Sequence, residues 1–294
     1  MLGERFFRSS KSSKPSGPST LEPRPVITLD RTIAASVDTI LENALDWEHL
    51  PHLHSQTYSA IRLLDSNDKG WRARVEAAGG RGQTSEIQLS IERQALRFVT
   101  KTLIGAGAGT QITTQLSAVN DYRTEIHVDF FLPPVEPQWM TKVAEAYKLL
   151  HEQMWDQDEA MMMRLGQVQE RAMASAREAA FPWARTSARD DRKCLGSRAE
   201  LESRLPIDLE VGGRPVRIVS VDGELLVFDT QCPHRGGPVE VANSCEGKCR
   251  WHGYSFDLRG GSSTDGRGLA LEPPPHLEIE AATSLVYISS PARG

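Results

Sequence analysis

The sequence predicts an α+β chain in two parts: an antiparallel sheet closed by one long helix, then a small all-β domain. Three observations predict it. Strand-like segments separated by turn residues follow one another from 57 to 132. From Pro137 to about Ala176, apolar residues recur at the helical period. Beyond Gly196 the pattern changes to short strands broken at Gly212-Gly213 and Asp222-Gly223.

Each element follows from local chemistry. Residues 25–33 (PVITLDRTI) alternate as a strand does. The Ser36 hydroxyl can accept from a first-turn amide, so a helix is expected from there to about Leu50, where Pro51 stops it. Strands are expected near 57–64, 70–77, 84–93, 96–103, 109–117 and 122–132, with turns at Asp68-Lys69-Gly70 and Asn120-Asp121. Pro133-Pro134 closes the series. On the long helix, Met140, Val143, Tyr147, Leu150, Met154, Met161, Leu165 and Val168 form an apolar stripe toward the sheet. This order resembles the helix-grip fold, in which a curved sheet wraps the last helix and leaves an apolar cavity between them. The expected organisation is a disordered tail over 1–24, a helix-grip catalytic or ligand-binding domain over 25–176, a linker over 177–195 and the small all-β domain over 196–294.

The all-β part carries Cys232-Pro-His234 and, after a fourteen-residue loop, Cys249-Arg-Trp-His252. Each short segment holds one thiol and one imidazole. A Cys₂His₂ set also binds zinc, but zinc fingers pair Cys with Cys and His with His. The interleaved order, with Gly236-Gly237, Pro238 and His252-Gly253-Tyr254, resembles the Rieske family. That resemblance implies a [2Fe–2S] cluster with Cys232 and Cys249 on one iron and His234 and His252 on the other. Gly237 and Trp251 stand where respiratory members carry a disulfide. Tyr254 and Phe256 stand where those members place hydrogen-bonding hydroxyls, and Phe256 has none. Fewer hydrogen bonds to the sulfurs imply a lower potential, as in the ferredoxin-like Rieske domains of bacterial oxygenases. Cys194 and Cys245 read as ordinary thiols. Four cysteines, of which at least two must stay reduced, fit a reducing, cytoplasmic compartment.

Charge and hydropathy exclude other classes. A net charge of −5 over 294 residues disfavours nucleic acid as the main partner. No apolar run approaches the roughly 18 residues of a membrane span. Residues 1–24 lack the apolar core of a secretory signal.

A second candidate metal site lies in the first part, in Glu42-Asn-Ala-Leu-Asp46-Trp-Glu-His49-Leu-Pro-His52-Leu-His54. Asp46 and His49 are three apart, on one face of the expected helix. His49 and His54 could share one metal if a carboxylate completes the set. On the long helix, Asp158 lies only about 40° from Met154, whereas Asp156 and Glu159 lie about 200° and about 140° away. Asp158 therefore falls on the buried stripe, where a carboxylate needs a metal, an arginine or a backbone amide.

These residues resemble the iron-binding helix of the Rieske non-haem iron ring-hydroxylating oxygenases, whose pattern N-x-x-D-x-x-H-x-x-x-x-H is met by Asn43, Asp46, His49 and His54. The resemblance implies mononuclear Fe(II) on His49, His54 and Asp158, with Asp46 as a catalytic bridge between a cluster histidine and an iron histidine. It implies a ferredoxin or flavin reductase as electron donor, O2 and a small apolar or aromatic substrate, hydroxylated or demethylated. It also implies a homotrimer that passes electrons between subunits. One departure stands out: the family places its Rieske domain first, and here it is last. The alternative is a helix-grip ligand-binding or cyclase-like module without iron, fused to a Rieske electron carrier. His52 reads as pocket or surface, His127 as a strand histidine with a possible view of the cavity, and His151 and His276 carry no signal. Trp139, Trp155 and Met161 to Met163 are candidates for cavity lining or core.

Overall fold

A computed structural model describes residues 24–79, 82–180 and 192–290 of the chain, without the side chains of 172 and 174–180. The expected tail (save Arg24) and the centre of the expected linker lie outside these residues.

The first domain runs β1 (Ile27–Ile33), α1 (Val37–Leu45), α2 (Leu50–Leu53), then β2 (Tyr58–Asn67), β3 (Gly70–Ala77), β4 (Thr84–Glu92), β5 (Arg97–Gly105), β6 (Gln111–Asn120) and β7 (Arg123–Phe131), and ends in the long helix α3 (Pro137–Ala180). The seven strands form one antiparallel sheet in the order β1-β7-β6-β5-β4-β3-β2. Period-two alternation sets its two faces. On β7, Thr124, Ile126, Val128 and Phe130 are buried, while His127 and Asp129 point outward. Trp71, Ala73 and Val75 on β3, with Ile87, Leu89 and Ile91 on β4, continue the buried face. Trp155 and Met162 of α3 pack on it, as the helix-grip arrangement requires. Full burial of a side chain such as Phe130 contributes about 1.5–3 kcal/mol. Gly70 (φ +149°) turns β2 into β3; a Cβ there would lie 2.0 Å from the Leu89 carbonyl oxygen.

The segment 36–54 differs from its expected form. Ser36 does cap α1, accepting from the Thr39 amide at 3.1 Å. The helix ends at Leu45, however, with Asp46 as its C-cap (φ −81°, ψ 81°). A 3₁₀ turn follows at Trp47–His49, and Pro51 begins α2 rather than ending a helix. Proline is tolerated there because first-turn amides have no intrahelical acceptor. Asp46 thus sits at the break and His49 in the turn beyond it, not on one helix face.

The second domain comprises β8 (Lys193–Ser197), α4 (Arg198–Glu202), β9 (Ile207–Val211), β10 (Arg214–Val221), β11 (Glu224–Asp229), β12 (Val239–Val241), β13 (Glu246–Cys249), β14 (Ser255–Asp257), β15 (His276–Ile279) and β16 (Leu285–Ser289). They form three three-stranded sheets: β11-β10-β9, β12-β13-β14 and β15-β16-β8. No helix among the described residues is long and apolar enough to cross a membrane.

Candidate metal centres

Cys232 and His234 lie on the turn after β11, and Cys249 and His252 lie at the end of β13. The two turns meet because β12 pairs with β13, placing Val239 opposite Cys249. Cys232 and Cys249 are buried, and His252 is 3% exposed. The His234 and His252 rings stand 4.6 Å apart, edge to face. Gly237 has no room for a side chain: a Cβ would lie 2.8 Å from Cys249 Sγ. The neighbouring Cys232 and His252 side chains pull the Cys249 thiol down toward the thiolate that a metal needs, while Cys249 and burial push Cys232 up.

The His252 ring is oriented from outside its own domain. Its Nε2 donates to Asp46 Oδ2 at 2.8 Å. Its Nδ1 is buried beside Cys249 without a hydrogen-bond partner. This arrangement leaves Nδ1 as the ligand atom and Nε2 as the carrier of the proton. Burial pulls the His252 imidazole down, but Asp46 and Cys249 outweigh it and push it up to about 9; an iron bound at Nδ1 would replace the second proton. Burial raises the Asp46 carboxyl in turn, yet the His252 hydrogen bond and the Arg235 charge leave it far below the carboxylate range.

The second site forms where the broken segment meets α3. His49 Nε2 and His54 Nε2 lie 3.5 and 3.1 Å from Asp158 Oδ1. One ligand atom from each of the three residues lies within 4.8 Å of the others. A metal held at about 2.1 Å by each donor separates donors by about 3–4 Å. His54 Nδ1 donates to Gln157 Oε1 at 2.7 Å, which leaves Nε2 with its lone pair directed at the site. Asn43 hydrogen-bonds Asp158. His54 Nε2, Asp158 Oδ1 and His49 Nδ1 are buried without hydrogen-bond partners. Each such group costs about 1–3 kcal/mol, and a cation answers two of them directly. Burial holds the His49 imidazole down at about 4, in the neutral form a metal requires. His49 Nδ1 faces Asp46 Oδ1 at 4.0 Å, beyond hydrogen-bond length. Asp156 and Glu159, turned away from the site, bind Arg31.

Beside these three residues lies a cavity of about 110 Å³ between the sheet and α3. Leu89, Phe98, Ile112 and Trp155 give it apolar walls, and Tyr58 and His151 give it polar points. His151 Nδ1 donates to the Tyr147 carbonyl at 2.9 Å, so Nε2 is the acceptor of the neutral ring. Burial pushes the Tyr58 hydroxyl up to about 12 and pulls His151 down, so both are neutral at pH 7.

Several sequence expectations change. His151, without signal in the sequence, lines the cavity. Trp139 is 50% exposed, Met163 is 47% exposed, and Met161 packs into the second domain's core. His127 is on the outer face, bound to Asp30 at 2.6 Å and Asp129 at 3.2 Å. His52 lies under the second cluster turn, where a Cβ on Gly253 (φ +68°) would meet its Cε1 at 2.3 Å. The Tyr254 hydroxyl donates to Glu48 at 3.1 Å and lies 3.5 Å from His234 Nε2. Sequence reading missed Gln157, Glu48 and Arg235. Only adjacency to a candidate ligand, Asp158, His49 or His234, could have marked them.

Residues 191–270 match the family model of the Rieske [2Fe-2S] domain. The small all-β domain is therefore a Rieske domain, an iron–sulfur electron-transfer module. Among solved structures, the chain is similar to the Zhui aromatase/cyclase from Streptomyces sp. R1128, at 13% identity over 47% of this chain and 93% of that one, with a TM-score of 0.38. A START superfamily protein from Mycobacterium smegmatis is similar at 17% identity over 45% and 93%, with a TM-score of 0.34. The ferredoxin of carbazole 1,9a-dioxygenase from Nocardioides aromaticivorans IC177 is similar at 18% identity over 35% and 100%, with a TM-score of 0.29. No curated protein matches the chain.

Proposed function

We propose that this chain is a Rieske-type, iron-dependent oxygenase acting on a small, uncharged, apolar or aromatic substrate. The observation that carries the reading is the convergence of His49, His54 and Asp158 beside an apolar cavity, with buried ligand atoms left unpartnered. In this reading Cys232, His234, Cys249 and His252 hold the [2Fe–2S] cluster, and His49, His54 and Asp158 hold Fe(II). When bound, these groups supply single electrons and an open metal position for O2.

The protein's own part is orientation and exclusion. Gln157 fixes the His54 tautomer, and Asn43 fixes the Asp158 carboxylate. Asp46 holds His252 and stays ionised. Leu89, Phe98, Ile112 and Trp155 keep water from the reacting carbon. His151 Nε2 offers an acceptor to a substrate O–H or N–H. At about 110 Å³ the cavity is smaller than the roughly 150 Å³ apolar cavity that holds benzene, so it limits the substrate to about one ring. Its charged lining is carboxylate only, with no lysine or arginine, which disfavours an anionic substrate. A reduced ferredoxin or a flavin reductase would feed the cluster.

The test is iron and acid-labile sulfide per chain after anaerobic purification. The expected result is about three irons to two sulfides. His49→Ala should remove about one iron and abolish turnover while the cluster spectrum persists. About two irons to two sulfides, unchanged by added ferrous iron, would overturn the reading and favour a helix-grip ligand-binding protein with an attached electron carrier.

A further inference from the structure

We propose that one chain is a complete electron-transfer unit: its Rieske domain docks on its own first domain and delivers electrons through Asp46 of the same chain. The resemblance to ring-hydroxylating oxygenases implied transfer between subunits. The contacts point elsewhere, and the inference rests on the oxygenase reading only for the destination of the electron.

Two polar bridges join the domains, each beginning at a cluster histidine. In the first, Asp46 Oδ2 receives His252 Nε2 at 2.8 Å and Arg235 at 2.7 Å, and Asp46 Oδ1 faces His49. Asp46 is 10% exposed and the His252 side chain 1%, so the bridge is shielded from solvent. Arg235 directly follows His234 and also lies 3.8 Å from Glu42. In the second, Tyr254 stacks on His234 with centroids 4.5 Å apart and donates to Glu48. Arg267 lies over the Tyr254 ring, 3.9 Å from its centroid, and reaches Glu48 at 3.6 Å.

Apolar and steric contacts support the same docking. Met161 of α3 belongs to the buried core of the Rieske domain, with Leu53 packed against it. Val168 lies where a Cβ on Gly236 would be, 2.8 Å away, and Arg164 donates to the Gly236 carbonyl at 3.1 Å. Gly253 leaves room for His52 in the same way. Two loop glycines thus make room for side chains of the first domain, as a surface shaped for that partner does.

The two histidines also face different surroundings. His252 is buried against Asp46, whereas His234 is exposed. An external reductant of the ferredoxin or flavoprotein class would reduce the cluster by one electron from the His234 side. His252 and Asp46 would then offer that electron a path to an ion held by His49, His54 and Asp158. In that transfer the cluster would be reoxidised by one equivalent and the ion reduced by one.

The test measures the cluster's midpoint potential in mixed assemblies of two differently tagged full-length chains, with oligomeric state by sedimentation. One chain carries the cluster; the other carries Cys249→Ser and has none. Asp46→Asn removes an anion from a cluster histidine and should raise the potential, whereas Arg235→Gln should lower it. The shift is expected only when the substitution is in the cluster-bearing chain, and equally in a monomer. A shift that follows Asp46 of the cluster-free chain, or no shift in either, would overturn the proposal. The cluster's visible spectrum checks folding of each variant. Failure of the oxygenase reading shows separately, as a missing third iron.

Discussion

The Rieske domain draws Cys232 and His234 from the turn before β12 and Cys249 and His252 from the end of β13 and the turn after it, whereas the first domain draws His49 and His54 from one short segment and Asp158 from α3 at the far end of its sequence. The cluster ligands are brought together by one strand pairing, β12 with β13. The second set meets only after seven strands have closed against the helix. A site built within one supersecondary unit depends on local register. A site built across a whole domain depends on every layer between its parts, and on neighbours such as Gln157 and Asn43 that hold each ligand in one orientation.

The sharpest way to break this comparison is Cys249→Ser. It should abolish the cluster's visible absorption and about two irons per chain, yet leave about one iron on the first domain. Loss of all iron would mean that the two sites are not independently built. Next comes Gln157→Leu, which frees the His54 tautomer. Ferrous or cobaltous titration should show affinity at the second site weakened about 10–100-fold, with the cluster spectrum unaltered. Unchanged affinity would remove Gln157 from the site. The smallest effect is expected for Ser36→Ala, which removes the cap of α1. Denaturant unfolding of the first domain should lose about 1 kcal/mol, with no change at the cluster. A larger loss would mean that α1 and the broken segment are a weak point for the whole metal site.

Legibility in the sequence followed the same division. The interleaved Cys and His of the second domain marked a Rieske domain without any tertiary knowledge, because the ligands and the glycines around them are near neighbours. Strand alternation on β3 and β7 is a period-two signal and was readable for the same reason. The inward position of Asp158 was also readable, since helical geometry alone separates it from Asp156 and Glu159. The break at Asp46 was not. Pro51 reads equally as the end of one helix or the first turn of the next, and only packing of His49 and His54 against α3 decides between them. The cavity role of His151 was equally hidden. Whether a helical histidine faces core, cavity or solvent depends on how the sheet curves around it.

By itself, then, the sequence determined the fold class, the presence of a Rieske domain and the candidate residues of both metal sites, all from spacing, periodicity and side-chain chemistry. The tertiary structure decided which ring nitrogen of His54 and His252 is available, how large and how charged the cavity is, and which surface the Rieske domain meets. Hydrogen bonds such as His252 to Asp46 join residues that are far apart in the chain. Spacing along the sequence carries no information about such pairs, because the approach of two domains is set by the shape and charge of surfaces that exist only after each has folded.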